Sequence, residues 1–280
     1  MIKKGFLANG EMLGWEPEKL ASFIRDTGYD CVELIGDIIF ADGRDGKDFK
    51  AAADKYGIGI SEILAQHDYV ILDAAQRKDS VDATVMQVKK AADMGVRIVN
   101  LFTGPVPWMP DSIKVGQQVS MTDAWNMVFD AFDTIIPVAE KEGVKLAVEN
   151  VWGMLAHDFY TNKYLNNYYN NAVLGVNLDP SHDVLYGNTD MSFLVKSWGD
   201  KIFHVHVKDA VGVAEPGKFV FPLLDEGNVD FRTFFDALKE IGYEGCASVE
   251  FESWAYRNKT LGGSHAATAE PMLRVLEKYI

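Results

Sequence analysis

Residues 202–209 read IFHVHVKD, which sets His204 and His206 two apart in a β-branched run closing on Lys208 and Asp209. Side chains i and i+2 of a strand share a face, so both imidazoles point one way near the strand's end. Three other alternating apolar runs close on a carboxylate: LAVEN with Glu149, GVNLD with Asp179 and ASVE with Glu250. Carboxylates brought together repel, and burial raises the cost. A divalent cation removes that problem, and three oxygens with one imidazole suit Mn²⁺, Mg²⁺, Co²⁺ or Zn²⁺. His206 is the expected ligand, with His204 packed one layer deeper. Glu250 is preferred to Glu252, two residues further along the same face, because its distance from the strand start matches that of Glu149.

These four groups meet only if consecutive strands deliver them to one place. The chain supplies such strands. Apolar runs at 2–8, 31–36, 58–64, 96–102, 144–150, 173–179, 201–209 and 245–252 read as strands. Helical segments follow at 17–28, 45–57, 80–95, 122–143, 159–171, 190–199, 229–242 and 265–280. Ser80 is the expected N-cap of the third helix, and Pro137 is expected to kink or restart the fourth. Alternating strand–helix units imply a parallel sheet. Eight of them, with no glycine-rich dinucleotide fingerprint after the first strand, predict a single (β/α)8 TIM-barrel domain over 1–280. Chemistry then belongs at the C-terminal ends of the strands. Asn9, Glu33, Glu62, His67 and Asn100 also fall near such ends, and the long loops 103–121 and 210–228 lie above them.

Several residues read as substrate contacts. His182, in DPSHD, puts an imidazole at the rim three residues after Asp179. Lys208 offers a positive charge beside an oxyanion, unless it pairs with Asp209. His67 lies just past the third strand. Trp15, Trp108, Trp152 and Trp254 all fall in loops after strands, where aromatic faces suit the apolar side of a sugar ring. GGSH at 262–265, before the last helix, is a faint anion site.

The 27 basic and 41 acidic residues, net charge −14, argue against nucleic acid as a partner. No apolar run approaches a membrane span, and MIKKGFLANGEML lacks the apolar stretch of a signal peptide. The cytoplasm is the expected location. Cys31 and Cys246 sit in apolar strand-like segments and read as buried reduced thiols.

LAVEN, GVNLDPSH, HVHVKD and YEGCASVEFE resemble the xylose isomerase-like barrels of the sugar-phosphate isomerase/epimerase superfamily. The resemblance spans the chain and is strongest over 144–252; LLDEGNVDF (223–231) resembles the loop-to-helix segment before the last strand. It implies a metal set of Glu149, Asp179, His206 and Glu250, with Glu149 and Glu250 also the acid/base pair and His182 a substrate contact. It implies a small sugar or cyclitol substrate, proton transfer through a metal-bound enediolate, and a barrel type often found as dimers or tetramers. The ketose 3-epimerases of the group carry an arginine where Gly212 stands and a glutamate where Leu155 stands, which sets this chain apart from them. The endonuclease branch needs further histidines, and none follows His206 until His265. The alternatives are a metal-dependent lyase, inosose dehydratase-like or C-glycoside deglycosidase-like, and a sugar-binding barrel that is not an enzyme.

Overall fold

A computed structural model describes residues 1–280. Eight parallel strands form a closed barrel: β1 (Lys3–Leu7), β2 (Cys31–Ile35), β3 (Gly59–Ala65), β4 (Ile98–Leu101), β5 (Lys145–Glu149), β6 (Leu174–Leu178), β7 (Ile202–Val207) and β10 (Cys246–Val249). Two short strands, β8 (Val211–Gly212) and β9 (Phe219–Val220), make a separate antiparallel ribbon in the loop after β7. The register Lys3↔Cys246 to Phe6↔Val249 closes the ring.

The strands are apolar throughout because each is covered twice, by side chains filling the barrel and by helices outside. Every residue of β6 and β7 is buried. The helices turn one stripe inward: Phe231–Glu240 buries Phe231, Phe234, Phe235 and Leu238 at the helical spacing. The (β/α)8 expectation is met, with most strands shorter than expected by one to three residues at an end and the third displaced by one, from 58–64 to Gly59–Ala65.

Two strand junctions are irregular. Val32 pairs with Ile60, but Leu34 pairs with Ile63, so β3 sets Ser61 and Glu62 against the single residue Glu33. Such a bulge re-aims a side chain. Between β6 and β7, Val176 and Asn177 face Ile202 and His204, leaving Phe203 as the extra residue.

The third long helix begins at Ala74, not near Ser80. Asp73 is its N-cap, accepting the Ala75 and Gln76 N–H groups at 2.8 and 3.0 Å. AAQRKD continues a helix without a breaker, so Ser80 falls inside it. Met121–Glu142 runs through Pro137 as one helix; its buried face, from Ala124 to Ala139, outweighs one missing N–H. Gly36–Ile39, Pro180–Leu185 and Trp254–Thr260 are additional helical turns too short to show a period.

The GGSH segment does bind an anion, but the anion is the protein's own. Glu11 accepts Ser264 Oγ–H at 2.7 Å, His265 N–H at 2.8 Å and Ala266 N–H at 3.1 Å. Partial burial pushes the Glu11 carboxyl up, yet these donors outweigh it and hold the group at about 2. The Ser264, His265 and Ala266 donors of the segment are therefore taken by a side chain. Both cysteines are buried and free. No helix is long and apolar enough to cross a membrane.

Candidate metal centre

Glu149 is the last residue of β5, beside Asn177 of β6. Asp179 follows β6 and caps Pro180–Leu185, accepting the Ser181 N–H at 2.9 Å. Asn150 fixes this corner, taking the Asp179 N–H at 3.0 Å and donating to Asp179 O at 2.8 Å and Asp183 Oδ2 at 3.0 Å. His206 of β7 stands beside Ser248 of β10, and Glu250 is one residue past β10. One donor atom from each of Glu149, Asp179, His206 and Glu250 lies within 4.8 Å of all the others, and all four residues are buried.

Lys208 enters this cluster from the side. Its Nζ lies 2.6 Å from Glu250 Oε2, 2.9 Å from Glu252 Oε2, 3.0 Å from Asp179 Oδ2 and 3.2 Å from His182 Nε2. Asp209 is not its partner: that carboxylate accepts the Ala210, Gly227 and Val229 N–H groups and pins the 223–231 loop. A Cβ at Gly227 would come 2.1 Å from Asp209 Oδ1, so only glycine permits that approach. Burial pulls the Lys208 ammonium down, but Asp179, Glu250 and Glu252 outweigh it and raise it well above the ordinary lysine value. Burial likewise pushes Glu250 up, and Lys208 with His206 overcomes that and holds it low. Glu149 has no such contact with lysine and is raised by burial. Asp179 is raised by burial to about 6. The two glutamates thus differ in proton affinity because the ammonium touches one of them.

Beneath this layer lies a second one. Within the barrel, His206 Nε2 donates to Glu33 Oε1 at 2.7 Å, while Nδ1 faces Glu149 Oε1 at 3.1 Å and Glu250 Oε2 at 3.3 Å. The bulge in β3 turns Glu62 inward, where Oε1 lies 3.3 Å from His204 Nδ1 and 3.6 Å from His206 Nε2. Burial and the neighbouring Glu33 push the Glu62 carboxyl well up, so it is the member of the pair that keeps its proton. His204 is held by Asn177 Oδ1 at 3.1 Å and Ser248 Oγ at 3.2 Å. It lies in the deeper layer, where Glu33, Glu62, His204 and His206 form a second buried group with donor atoms all within 4.8 Å of one another, and it has no contact with Glu149, Asp179 or Glu250. Glu33 fixes which nitrogen of His206 faces the upper carboxylates. A carboxylate in that role typically changes metal affinity by about 10–100-fold. Glu33→Gln is therefore expected to weaken Co²⁺ binding by roughly that factor, read by calorimetry. Unchanged affinity would show that the Glu33 charge does not support the imidazole.

The remaining sequence-chosen residues divide. A cavity of about 70 Å³ at the barrel mouth is lined by Trp108, Glu149, Trp152, His182, Lys208 and Glu250, with Asn9 also in its wall. His182 is buried, not at the rim: its Nε2 lies 3.4 Å from Asp179 Oδ2 and its ring meets Phe221 edge-on. Burial and the adjacent Lys208 keep it neutral, well below the ordinary histidine value. His67 and Trp15 are not brought to the cavity. Both ring nitrogens of His67 are engaged, by Thr84 Oγ1 at 2.9 Å and Asp37 Oδ1 at 3.0 Å. Trp15 packs edge-on against Phe23 at 5.3 Å beneath Lys19. Glu33, Glu62 and Glu252 were visible as acidic residues near strand ends, but only the pairing of β2 with β3 shows that the first two share the barrel interior. A larger hollow, about 870 Å³, opens around Met1, Arg25, Tyr29 and Tyr56 at the opposite end and adjoins none of these groups.

Comparison with known proteins agrees with this architecture. Inosose dehydratase of Lactiplantibacillus plantarum is 23% identical over 263 residues, covering 86% of each chain. Among solved structures, 3-keto-D-glucoside 4-epimerase YcjR from E. coli superposes with a TM-score of 0.78 at 16% identity, covering 99% of this chain and 100% of that one. The IolI protein with a bound zinc atom superposes with a TM-score of 0.72 at 21% identity, covering 100% and 99%. The family model described as xylose isomerase-like TIM barrel matches residues 21–278, and the chain belongs to that family.

Proposed function

We propose that this barrel is a divalent-metal-dependent isomerase or epimerase of a keto-sugar or keto-cyclitol, working by proton transfer next to a carbonyl. The observation that carries the reading is the convergence of Glu149, Asp179, His206 and Glu250 within 4.8 Å. The residues fit a cation. Asp179 Oδ2 is buried and receives no well-directed hydrogen bond, although Lys208 lies 3.0 Å away. Glu149, Asp179, Glu250 and Glu252 are gathered about one ammonium, which touches three of them, and the His206 imidazole, so negative charge is in surplus. Glu149, Asp179, His206 and Glu250 would hold the ion, which would supply Lewis acidity toward the carbonyl oxygen and charge stabilisation.

The chain's own residues do the rest. Glu149, raised by burial and not tied to lysine, takes up a proton more readily than Glu250 and is the better proton carrier of the two. Glu250, anchored as a carboxylate by Lys208, is the partner that exchanges a proton from its own side. Asn100 Nδ2 donates to Glu149 Oε2 at 3.1 Å and fixes which oxygen faces the cavity. Neutral His182 and cationic Lys208 supply hydrogen bonds to substrate oxygens. The relative named as an inosose dehydratase supports a second reading, in which the same proton removal is followed by loss of a β-substituent.

The test joins two measurements. Purified protein is loaded with Mn²⁺, Co²⁺ or Zn²⁺ and its metal counted, beside Asp179→Asn. A panel of ketoses and inososes is then incubated in D₂O and followed by NMR. About one ion per chain, lost in the variant, with carbon-bound deuterium in a product, is the expected result. Loss of water from an inosose would select the lyase reading. Absence of both metal and exchange would overturn the assignment.

A further inference from the structure

The polar cavity over Glu149 and Lys208, about 70 Å³, is too small for more than part of a sugar. It continues into a second hollow of about 470 Å³, and the two share Trp108, Trp152 and Glu252 in their walls. The outer hollow is aromatic. Trp152 meets Phe219 edge-on at 4.7 Å, Phe219 meets Phe221 at 5.3 Å, and Trp108 meets Trp152 at 6.4 Å. Trp254 also lines it. Trp108 is 52% and Trp254 43% exposed. Large apolar side chains left facing water in one cluster mark a surface that something covers.

The chemistry of the lining limits what that is. Glu252 is its one charged residue, and no lysine or arginine lines it. A phosphate placed there would meet a carboxylate and no cation. Its only hydrogen-bond acceptors among side chains are Ser253 and Glu252, and Glu252 already holds Lys208 at 2.9 Å; the indole N–H groups of Trp108, Trp152 and Trp254 can only donate. A second sugar ring could lay its apolar face on the indoles, but its several hydroxyls would lose water with few acceptors in return. A flat uncharged ring has no such debt and gains stacking with the indoles. The wall is also preformed. Phe219 stands on the ribbon, in register with Gly212, and the ribbon is tied to the barrel by the Ala214 N–H to Leu185 O hydrogen bond at 3.1 Å.

We infer that the outer hollow is an aglycone subsite, so that the substrate is an uncharged glycoside of a keto-sugar with an aromatic aglycone lying against Trp108, Trp152, Phe219 and Trp254. The sugar's place on the polar floor rests on the function proposed above; the aromatic preference rests on the hollow itself.

The test compares 4-nitrophenyl β-D-glucopyranoside, methyl β-D-glucopyranoside and cellobiose on metal-loaded protein by calorimetry. The aryl glucoside is expected to bind at least about tenfold more tightly than the other two, from stacking and apolar burial. Trp254→Ala and Phe219→Ala should each remove most of that preference and leave methyl glucoside binding unchanged. Trp254 lies on a surface helix, so its variant keeps the fold. Equal affinity for the three, tighter binding of cellobiose, no binding of the aryl glucoside at millimolar concentration, or a preference that survives both variants would overturn the subsite. Aryl preference without deuterium exchange on the ketose panel would sustain the subsite and sink the isomerase reading; exchange without the preference would do the reverse.

Discussion

Glu149→Gln should leave a folded barrel whose turnover falls by roughly a thousandfold, within the range general acid–base groups supply. The substitution preserves shape, and its amide oxygen can still accept the Asn100 Nδ2 hydrogen bond made at 3.1 Å. It also lifts one of several crowded negative charges, so thermal stability should hold or rise. Glutamine cannot carry the proton, and deuterium exchange at carbon should disappear with turnover. Because Glu149 is also a proposed ligand, metal content must be measured on the same sample. A variant that retains its ion and loses exchange isolates the proton-transfer role. Wild-type exchange rates in Glu149→Gln would remove that role. Glu250→Gln should also lose turnover, but with weaker metal binding, since it strips a carboxylate that Lys208 holds at 2.6 Å in the ligand set.

Lys208→Met should be the more damaging change for the fold. The side chain is buried, and its ammonium contacts Asp179, Glu250 and Glu252 at 2.6–3.0 Å. Removing one partner of a buried ion pair costs about 3–5 kcal/mol, because the other charge is left uncompensated. For a chain of this size that is a drop in Tm of roughly 10 °C. The deficit should shrink as pH falls. Without the ammonium, the three carboxyls bind protons more readily in the folded state than in the unfolded chain. Stability is then greatest where they are protonated and declines as pH rises through their raised values. A saturating divalent ion should recover part of the loss at neutral pH. A melting temperature within about 2 °C of wild type would show that the network is not cohesive.

The barrel and the mouth of its site were legible because both follow from period. Strand alternation placed Glu149, Asp179, His206 and Glu250 at equivalent depths, and the eightfold strand–helix alternation made those depths converge. The preference for Glu250 over Glu252, and for His206 over His204, used the same arithmetic. What failed to show were features set by contacts across the ring. His67 sits near a strand end, but Thr84 and Asp37, on two other elements, claim both its nitrogens. Trp15 belongs to a loop after a strand, yet Phe23 and Lys19 on the following helix hold it away. The partner of GGSH was Glu11, some 250 residues distant, and no local pattern announces that meeting. Lys208 and Asp209 are adjacent in sequence, but strand alternation sends them to different tasks.

The extra residue in β3 carries a consequence for how this chain tolerates insertions and deletions. Ile60 and Ile63 both face the helices, and Ser61 and Glu62 together fill the place opposite Glu33. Beyond them Leu64 reaches the cavity wall again. Loss of one residue at 61–62 would therefore restore an unbroken zigzag and keep Leu64 in phase, at the expense of one inward group. Loss of one residue at 63–64 would exchange the two sides of everything that follows, sending an isoleucine or alanine where the pocket expects leucine. An odd-numbered change in length is thus harmless to the barrel at one point of this strand and disruptive a residue later. Relatives whose β3 is one residue shorter are expected to place the gap at 61–62, and those that do so should keep the wall while lacking either the serine or the buried glutamate.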